Sequence, residues 1–220
     1  MRVPLKFGPE TVSNVVCLRV KVCVKDRQGR EASGWGETPL SVSWVWPSTL
    51  SVSERARRME EFSIKLAQKL ETCELVGHPM EIGSDFIHGI LAQTLNEANA
   101  EAGGAEMPYL GSLVAFSAFD IAIHDAYGNL HECDVFTTYG PAFMNRDLSA
   151  YLEAEEGSGI DFKGRYPQDY FVKNVPTKLP VWHLVGGVDA LEACDLNGSE
   201  PKDEHPLLLA DWIQRDGLKC

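Results

Sequence analysis

The sequence lacks several features that would assign a function directly. It has no apolar run of about 18 residues, so no transmembrane helix is expected. It contains neither a Gly-x-Ser-x-Gly elbow nor a glycine-rich loop of the kind that cradles phosphates. Basic residues are outnumbered, with 20 Lys and Arg against 32 Asp and Glu. This acidic balance argues against a surface for nucleic acid or anionic lipid, and therefore against those partners.

The six cysteines show no Cys-x-x-Cys spacing and no pairing with histidine at zinc spacing. We therefore expect reduced, mostly buried thiols in a cytoplasmic protein. The chain has 220 residues, of which 44% are hydrophobic. This is enough for one sizeable core, or for one domain and part of another.

The stretch Phe116–Gly128 is apolar around most of a helical circumference, which is typical of a helix in a protein interior. Ser112 is the expected N-cap of this central helix, and Gly128 is its expected C′ glycine. The narrow polar strip carries Asp120 and His124, which can touch at i,i+4 spacing. We expect a buried carboxylate–imidazole pair there rather than a metal site.

Alternating apolar residues predict strands near the N-terminus. Val16–Val24 alternates strictly, Asp26–Gly29 has the composition of a hairpin turn, and Glu31–Glu37 returns as the next strand. Arg2–Gly8 is a further short extended segment. The sequence therefore predicts a small antiparallel sheet of two or three strands.

Two more helices are expected before the central helix. Ser51 and Glu54 form a capping box that begins a helix running to about Cys73. Gly77–Pro79 interrupts the chain, and Ser84 is the expected cap of the second helix.

Thr38–Thr49 is predicted to be a loop of unusual composition, with Trp44 and Trp46 near two prolines. Such a loop is either a plug into the core or the wall of a pocket, because aromatic-lined concavities commonly hold small ligands. The residues alone leave both readings open.

The C-terminal part has a different pattern. Thr177–Pro180 reads as a linker, Val181–Gly187 as a buried strand, and Leu207–Ile213 as a short helix with its C-cap at Gly217. A strand, a loop and a helix in this order are typical of the first β/α unit of a parallel β/α fold. His183 lies in the apolar strand and is either a hydrogen-bonded core residue or a residue facing a site.

Two segments resemble the enolase superfamily. Residues 120–128, Asp-Ile-Ala-x-x-Asp-Ala-x-Gly, are similar to the helix pattern Ala-x-x-Asp-x-Ala-x-x-Asp-x-x-Gly of the mandelate racemase/muconate-lactonizing branch. Gly34-Trp-Gly-Glu37 is similar to the family's Gly-x-Gly-Glu segment. The resemblance implies an α+β fold, in which a three-stranded antiparallel sheet and a helical bundle form a capping domain. The first strand and helix of an incomplete (β/α) barrel would follow.

On this basis the expected domains are a capping domain over residues 1–145, a linker or insert over 146–178, and the start of a truncated barrel over 179–220. The family abstracts a proton α to a carboxylate with a Lys or His base, and Mg²⁺ stabilises the enediolate. The base, usually in a Lys-x-Lys on the second barrel strand, and the metal carboxylates are not found here. We therefore expect the chain alone to be inactive, with Mg²⁺ a cofactor of a full-length member only.

The resemblance also implies a substrate site, because two loops of the family's capping domain contact the substrate. These loops correspond to Pro9–Asn14 and Leu40–Pro47. The expected substrate-binding residues are Thr11, Trp44, Trp46 and His183. No catalytic or metal-binding residue is expected in this chain. The expected ligand is a small carboxylate, either an acid sugar or a hydroxy acid, and a homo-oligomer is a possible assembly.

The alternative is a protein of another class, a stand-alone α+β binding or interaction module without catalysis. In that case the strand at Val181 would add to the N-terminal sheet or bind a partner.

Overall fold

The structure, a computed structural model, describes residues 2, 4–7, 10–182 and 184–218. These residues fall into two compact units. The larger unit is Val16–Lys173. The smaller unit consists of the described residues of Met1–Val15 and Asn174–Cys220. The functional division predicted at residues 145 and 178 stays a prediction.

Helices and strands are labelled in chain order. The strands are β1 (Leu5–Phe7), β2 (Glu10–Val12), β3 (Cys17–Lys25) and β4 (Glu31–Pro39). The α-helices are α1 (Val42–Val45), α2 (Val52–Thr72), α3 (Pro79–Asp85), α4 (Ala92–Ala102), α5 (Tyr109–His131) and α6 (Leu209–Asp216). A π-helical segment, Phe86–Leu91, joins α3 to α4. Short 3₁₀ turns lie at Val135–Thr138, Leu148–Ala150, Pro167–Tyr170 and Ala193–Asp195.

The strands form two separate two-stranded antiparallel sheets, β1–β2 and β3–β4. The three-stranded sheet that the resemblance implies is therefore wrong. Instead of extending the β3–β4 hairpin, β1 pairs with β2, with Leu5 opposite Val12. The sequence indicates that a segment is extended, but a three-residue strand carries too little alternation to specify the edge with which it pairs.

The β3–β4 hairpin confirms the two predicted strands and their turn. The carboxylate of Asp26 accepts the N–H groups of Gln28 and Arg30, each at 2.9 Å. Gly29 has a φ of 84°, a left-handed conformation that glycine adopts at little cost. The turn residues therefore fix the register, with Lys25 opposite Glu31.

The core of the larger unit lies where α2, α5 and the segment after β4 meet. The rings of Phe86 and Phe116 stack with their centroids 4.6 Å apart. Burial of each such side chain contributes about 1.5–3 kcal/mol. The most deeply buried large apolar residues are Val45, Trp46, Met59, Phe62, Leu66, Phe86, Leu91 and Phe116.

The central helix α5 is longer than predicted. Its N-cap is Pro108, and its C-cap is Glu132 in the left-handed conformation. The predicted caps Ser112 and Gly128 lie inside the helix. Ser112 Oγ donates to the carbonyl oxygen of Tyr109 at 2.7 Å, which shows that a hydroxyl can be satisfied by the helix itself. No helix in the described part of the chain has the length and apolarity needed to cross a membrane.

The predicted start of α2 is confirmed, because Ser51 Oγ accepts the N–H of Glu54 at 3.2 Å. The predicted cap Ser84 is wrong. His78 caps α3 instead, with its side chain accepting the N–H of Met80 at 3.2 Å. Histidine is not among the usual capping residues, so the serine was the stronger signal in the sequence.

The described residues of the segment 181–187 form no strand. Val181 and Trp182 are 89% and 91% exposed, so the predicted buried first strand of a barrel is wrong for these residues. A parallel strand needs neighbouring strands and covered faces, and the described chain supplies neither at this segment. The predicted short helix is confirmed as α6, which ends at Gly217 in the left-handed conformation.

Candidate functional site

The two segments that carry the family resemblance lie against each other in the larger unit. A Cβ atom on Gly36 would lie 1.9 Å from the carbonyl oxygen of Ala118, just before the helix motif, and 2.8 Å from the backbone nitrogen of Ala122 within it. A Cβ atom on Gly34 would lie 2.1 Å from the backbone nitrogen of Ala126. Such distances are far inside van der Waals contact, so only glycine allows β4 to approach α5 this closely.

Side chains of α5 also close the outer edge of β4. Asp125 Oδ2 accepts the N–H of Trp35 at 2.8 Å, and Asn129 Nδ2 donates to the carbonyl oxygen of Ser33 at 3.0 Å. Main-chain groups at a sheet edge need such partners when no strand covers them. Asp125, a residue of the helix motif, therefore has a structural role in this chain.

The smaller unit encloses a cavity of about 690 Å³, within the size range of small-ligand sites. Thr11, a predicted substrate-binding residue, lines this cavity. Leu184 and Val185, which follow His183 in sequence, line it as well. His183 itself lies outside the described residues. The apolar part of the lining also includes Val188, Leu196, Leu207, Leu209 and Trp212.

Polar groups beside this cavity are engaged by local partners. Arg2 pairs with Asp203 at 2.7 Å and lies 5.8 Å from the centroid of the Trp212 ring. The hydrogen bond from Arg2 lowers the pKa of Asp203 to about 2. Asp189 accepts the N–H of Gly186 at 2.6 Å. The arrangement can therefore enclose the apolar part of a ligand, and Thr11 offers a hydroxyl at its surface.

The two predicted tryptophans belong to the larger unit and have different environments. The predicted loop contains the short helix α1, and Trp46 directly after it is only 2% exposed. Trp44 is 54% exposed. Trp46 is therefore the plug into the core, whereas the side chain of Trp44 remains at the surface, where a ligand can reach it.

Arg55 is a buried residue that sequence reasoning missed. The charge-rich segment Glu54–Glu61 predicts a solvated helix face, yet Arg55 is 1% exposed. Its Nη1 donates to the carbonyl oxygens of Trp46 at 2.7 Å and Val42 at 3.3 Å. Buried charges need such partners. A helix of four residues leaves most of its carbonyl groups without a partner inside the helix, so a nearby donor is needed. Because the sequence predicts a loop at this position, it carries no signal of that need.

Glu81 is a second buried charge that the sequence did not single out. It is 2% exposed and accepts the N–H groups of His78 at 3.0 Å, Asn145 at 2.6 Å and Arg146 at 2.8 Å. Burial acts to raise the pKa of Glu81. The hydrogen bonds to its charged form outweigh burial and leave this pKa lowered. Through these hydrogen bonds the carboxylate connects the segment that begins at Asn145 to the beginning of α3.

His78 is fully buried next to Glu81. Its ring centroid lies 5.1 Å from that of Tyr127 and 4.9 Å from that of Tyr139. Burial, together with repulsion from a charged His124, lowers the pKa of His78 to about 4. The ring is therefore neutral near pH 7 and acts as a packed, hydrogen-bonded structural residue.

The predicted contact between Asp120 and His124 is confirmed, in a half-buried setting. His124 Nδ1 donates to the carbonyl oxygen of Asp120 at 2.8 Å and lies 3.7 Å from its Oδ2. Burial raises the pKa of Asp120, with His124 acting in the opposite direction. In residues 2, 4–7, 10–182 and 184–218, no three His, Cys, Asp or Glu side chains are placed to hold a metal ion.

Comparisons of the chain with protein-family models, with curated proteins and with solved structures found no match.

Proposed function

We propose that this chain is the substrate-capping portion of a Mg²⁺-dependent enzyme of the enolase superfamily, mandelate racemase/muconate-lactonizing branch. Such an enzyme acts on a small carboxylate, an acid sugar or a hydroxy acid, by α-proton abstraction, and the outcome is dehydration, racemisation or cycloisomerisation. The observation that supports this proposal is the contact between the two segments that carry the resemblance.

That contact is informative because the two motifs are separated in sequence by about half of the larger unit. Gly34 and Gly36 bring the backbone of β4 onto α5, and Asp125 of the helix motif binds the N–H of Trp35 within the glycine motif. Chance matches to two short patterns would not be expected to meet residue by residue. Their contact supports the view that both belong to one inherited packing arrangement.

The chain's own contribution to such a reaction is to enclose the substrate and exclude water. Thr11 offers a hydroxyl in the cavity of the smaller unit, and Trp44 offers an exposed aromatic face in the larger unit. Trp46 acts indirectly, because its burial anchors the segment that carries Trp44. The resemblance assigns the base and the metal ligands to barrel strands that follow the first one, so the proposal gives this chain no proton-transfer step.

A stand-alone α+β binding module is the second candidate. It is favoured by the larger unit, which holds its own apolar core and its own buried polar contacts at Arg55 and Glu81. A unit of this kind can present a surface to a partner without any catalytic residue.

The coding sequence beyond Cys220 is the direct test between these two candidates. A Lys-x-Lys within a few codons, followed by carboxylate-bearing strands, is the result expected for a capping portion. A stop codon at that position, with a monomeric chain that resists proteases throughout, would contradict it and favour the binding module. Limited trypsin digestion gives the complementary measurement, since cleavage at Lys173 or Lys178 with survival of Val16–Lys173 is expected for the capping portion.

An activity assay adds a second arm. The chain of 220 residues is incubated with Mg²⁺ and a panel of hydroxy acids and acid sugars. No turnover is expected. Robust turnover by this chain alone would contradict the proposal, because the proposal assigns the base and the metal ligands to barrel strands that follow the first one.

A further inference from the structure

The two edges of the β3–β4 hairpin differ. The outer edge of β4 is closed, because Asp125 accepts the N–H of Trp35 and Asn129 donates to the carbonyl of Ser33. Among the strands of the described part, β3 pairs with β4 alone. The other edge of β3 therefore has no strand partner there.

The alternation of an antiparallel pair determines which main-chain groups face that edge. The N–H of Trp35 points away from β3, toward Asp125. Because successive residues of a strand direct their main-chain groups to opposite edges, the N–H and C=O groups of the neighbouring Gly34 point toward β3. Gly34 lies opposite Val22. Val22 therefore directs its N–H and C=O groups toward β4, and the adjacent residues Lys21 and Cys23 direct theirs to the open edge.

A trough of about 980 Å³ follows the same edge. Consecutive residues from Val22 to Gln28 line it, and no described residue of β4 does, so it lies on the side of β3 away from β4. Val22 and Val24 are only partly buried and border the trough. The apolar residues of the opposite walls are Leu70, Leu75, Val76, Ile82, Ile123, Leu130 and Phe143.

The outer face of β3 is basic along this stretch. Lys21 lies 5.7 Å from the ring centroid of Trp35, and Lys25 lies 3.1 Å from Glu31 on β4. A second copy of this chain paired through the same strand would bring these cations against their own equivalents, which is unfavourable. A strand with carboxylates on its outer face would find opposite charges instead.

We propose that the open edge of β3 is the docking surface for an extended segment of a partner protein in which apolar and acidic residues alternate. The segment adds to the hairpin as an antiparallel strand, with its main chain bonded to Lys21 and Cys23. Its apolar side chains enter the trough beside Val22 and Val24, and its carboxylates face Lys21 and Lys25. Strand addition of this kind takes affinity from the main-chain bonds and specificity from alternate side chains.

The test titrates the full chain with the peptide acetyl-Glu-Val-Glu-Val-Glu-Val-Glu-amide and with its counterpart in which every Glu is Lys. Binding is followed by ¹H–¹⁵N spectra and by amide hydrogen exchange. The Glu peptide is expected to slow exchange at Lys21 and Cys23 by at least about tenfold, and to bind at least about tenfold more tightly than the Lys peptide. Unchanged exchange at these amides, or equal affinity for both peptides, would overturn the proposal.

Charge reversal on the chain gives a matched comparison. Lys21→Glu, at an exposed position, should weaken binding of the Glu peptide and strengthen binding of the Lys peptide. Arg57→Glu on α2 should change the affinity for neither peptide. A failure of Lys21→Glu to shift the preference would contradict the proposed contact. Concentration-dependent protection of Lys21 and Cys23 without any peptide would identify a second copy as the occupant and would also overturn the proposal.

Discussion

The imidazole of His78 donates a hydrogen bond to the hydroxyl of Thr138, with Nε2 and Oγ1 2.9 Å apart. The direction is fixed, because the Thr138 hydroxyl donates to the carbonyl oxygen of Val135 at 2.6 Å. The proton of the neutral ring is therefore on Nε2, and Nδ1 accepts the N–H of Met80 at the beginning of α3. A second proton on Nδ1 would face another donor and break the cap.

We expect the free energy of unfolding to decrease as the pH falls from 6.5, the ordinary pKa of histidine, to about 4, the pKa of His78 in the folded chain. Above this window the ring is neutral in both states. Within it the unfolded chain binds a proton that the folded chain rejects, so stability is lost as the pH falls. The difference corresponds to about 3 kcal/mol, measured by urea denaturation at successive pH values.

The variant His78→Asn retains a capping side chain that does not titrate, so it should lose this part of the pH dependence. Comparison with the unmodified chain isolates His78 from Asp120, whose raised pKa favours the folded state as the pH falls. His88→Asn, a change at an exposed position, is the control for replacing a histidine by asparagine and should alter the free energy of unfolding at pH 7 by less than about 0.5 kcal/mol. A stability difference between the chain and His78→Asn that stays constant from pH 7 to pH 4 would contradict this account.

Gly36→Ala is expected to destabilise the larger unit by about 3 kcal/mol or more, because its Cβ would overlap the carbonyl oxygen of Ala118. Gly89→Ala is the matched control, since a Cβ there meets nothing within 4 Å. Because Gly89 lies in a helical segment, its replacement by alanine should raise the free energy of unfolding by up to about 1 kcal/mol. Urea denaturation measures both, and similar effects at the two positions would show that β4 does not touch α5.

Trp46→Ala should cost about 3–5 kcal/mol of unfolding free energy, because it removes a large side chain that is 2% exposed. Trp44→Ala, at a position 54% exposed, should cost less than about 1 kcal/mol. If Trp44 contacts substrate in a full-length enzyme, the same change should raise KM while leaving the melting temperature almost unaltered. Equal losses of stability would show that neither tryptophan is free for a ligand.

Asp125→Ala should release the N–H of Trp35 and speed its hydrogen exchange, with a loss of about 1 kcal/mol. Asp125→Asn retains a side-chain oxygen that can accept the same bond, so its effect should be smaller. Exchange measured by NMR at Trp35 separates the two variants. No acceleration in Asp125→Ala would show that the α5 side chain does not close this edge.

Local patterns in the sequence predicted local elements well. Strict alternation located β3, the Asp26–Gly29 turn located the hairpin, and Ser51 located the start of α2. Each of these depends on residues close together in sequence, where backbone preference and one or two hydrogen bonds decide the outcome. The resemblance, by contrast, implied a pairing for β1 that three residues could not specify.

The candidate site was harder to predict because its chemistry depends on burial. Arg55 belongs to a charged segment that is typical of a solvated helix face, yet it is buried and donates to the carbonyl oxygen of Trp46. Glu81 is buried because it accepts the N–H of Asn145, a residue far away in sequence. Trp44 and Trp46 are two residues apart and have opposite exposures, which composition alone cannot separate. Thr11 was placed by the resemblance, and the structure adds that it lines a cavity.

The close approach at Gly36 has a consequence for how such a sequence can change over generations. The atom that blocks a side chain there is the carbonyl oxygen at position 118, which belongs to the main chain and is the same for all twenty amino acids. No replacement on the helix could make room for a larger residue on the strand. A lineage that kept this packing would have no compensating route, and glycine would persist at position 36 while its surroundings diverged.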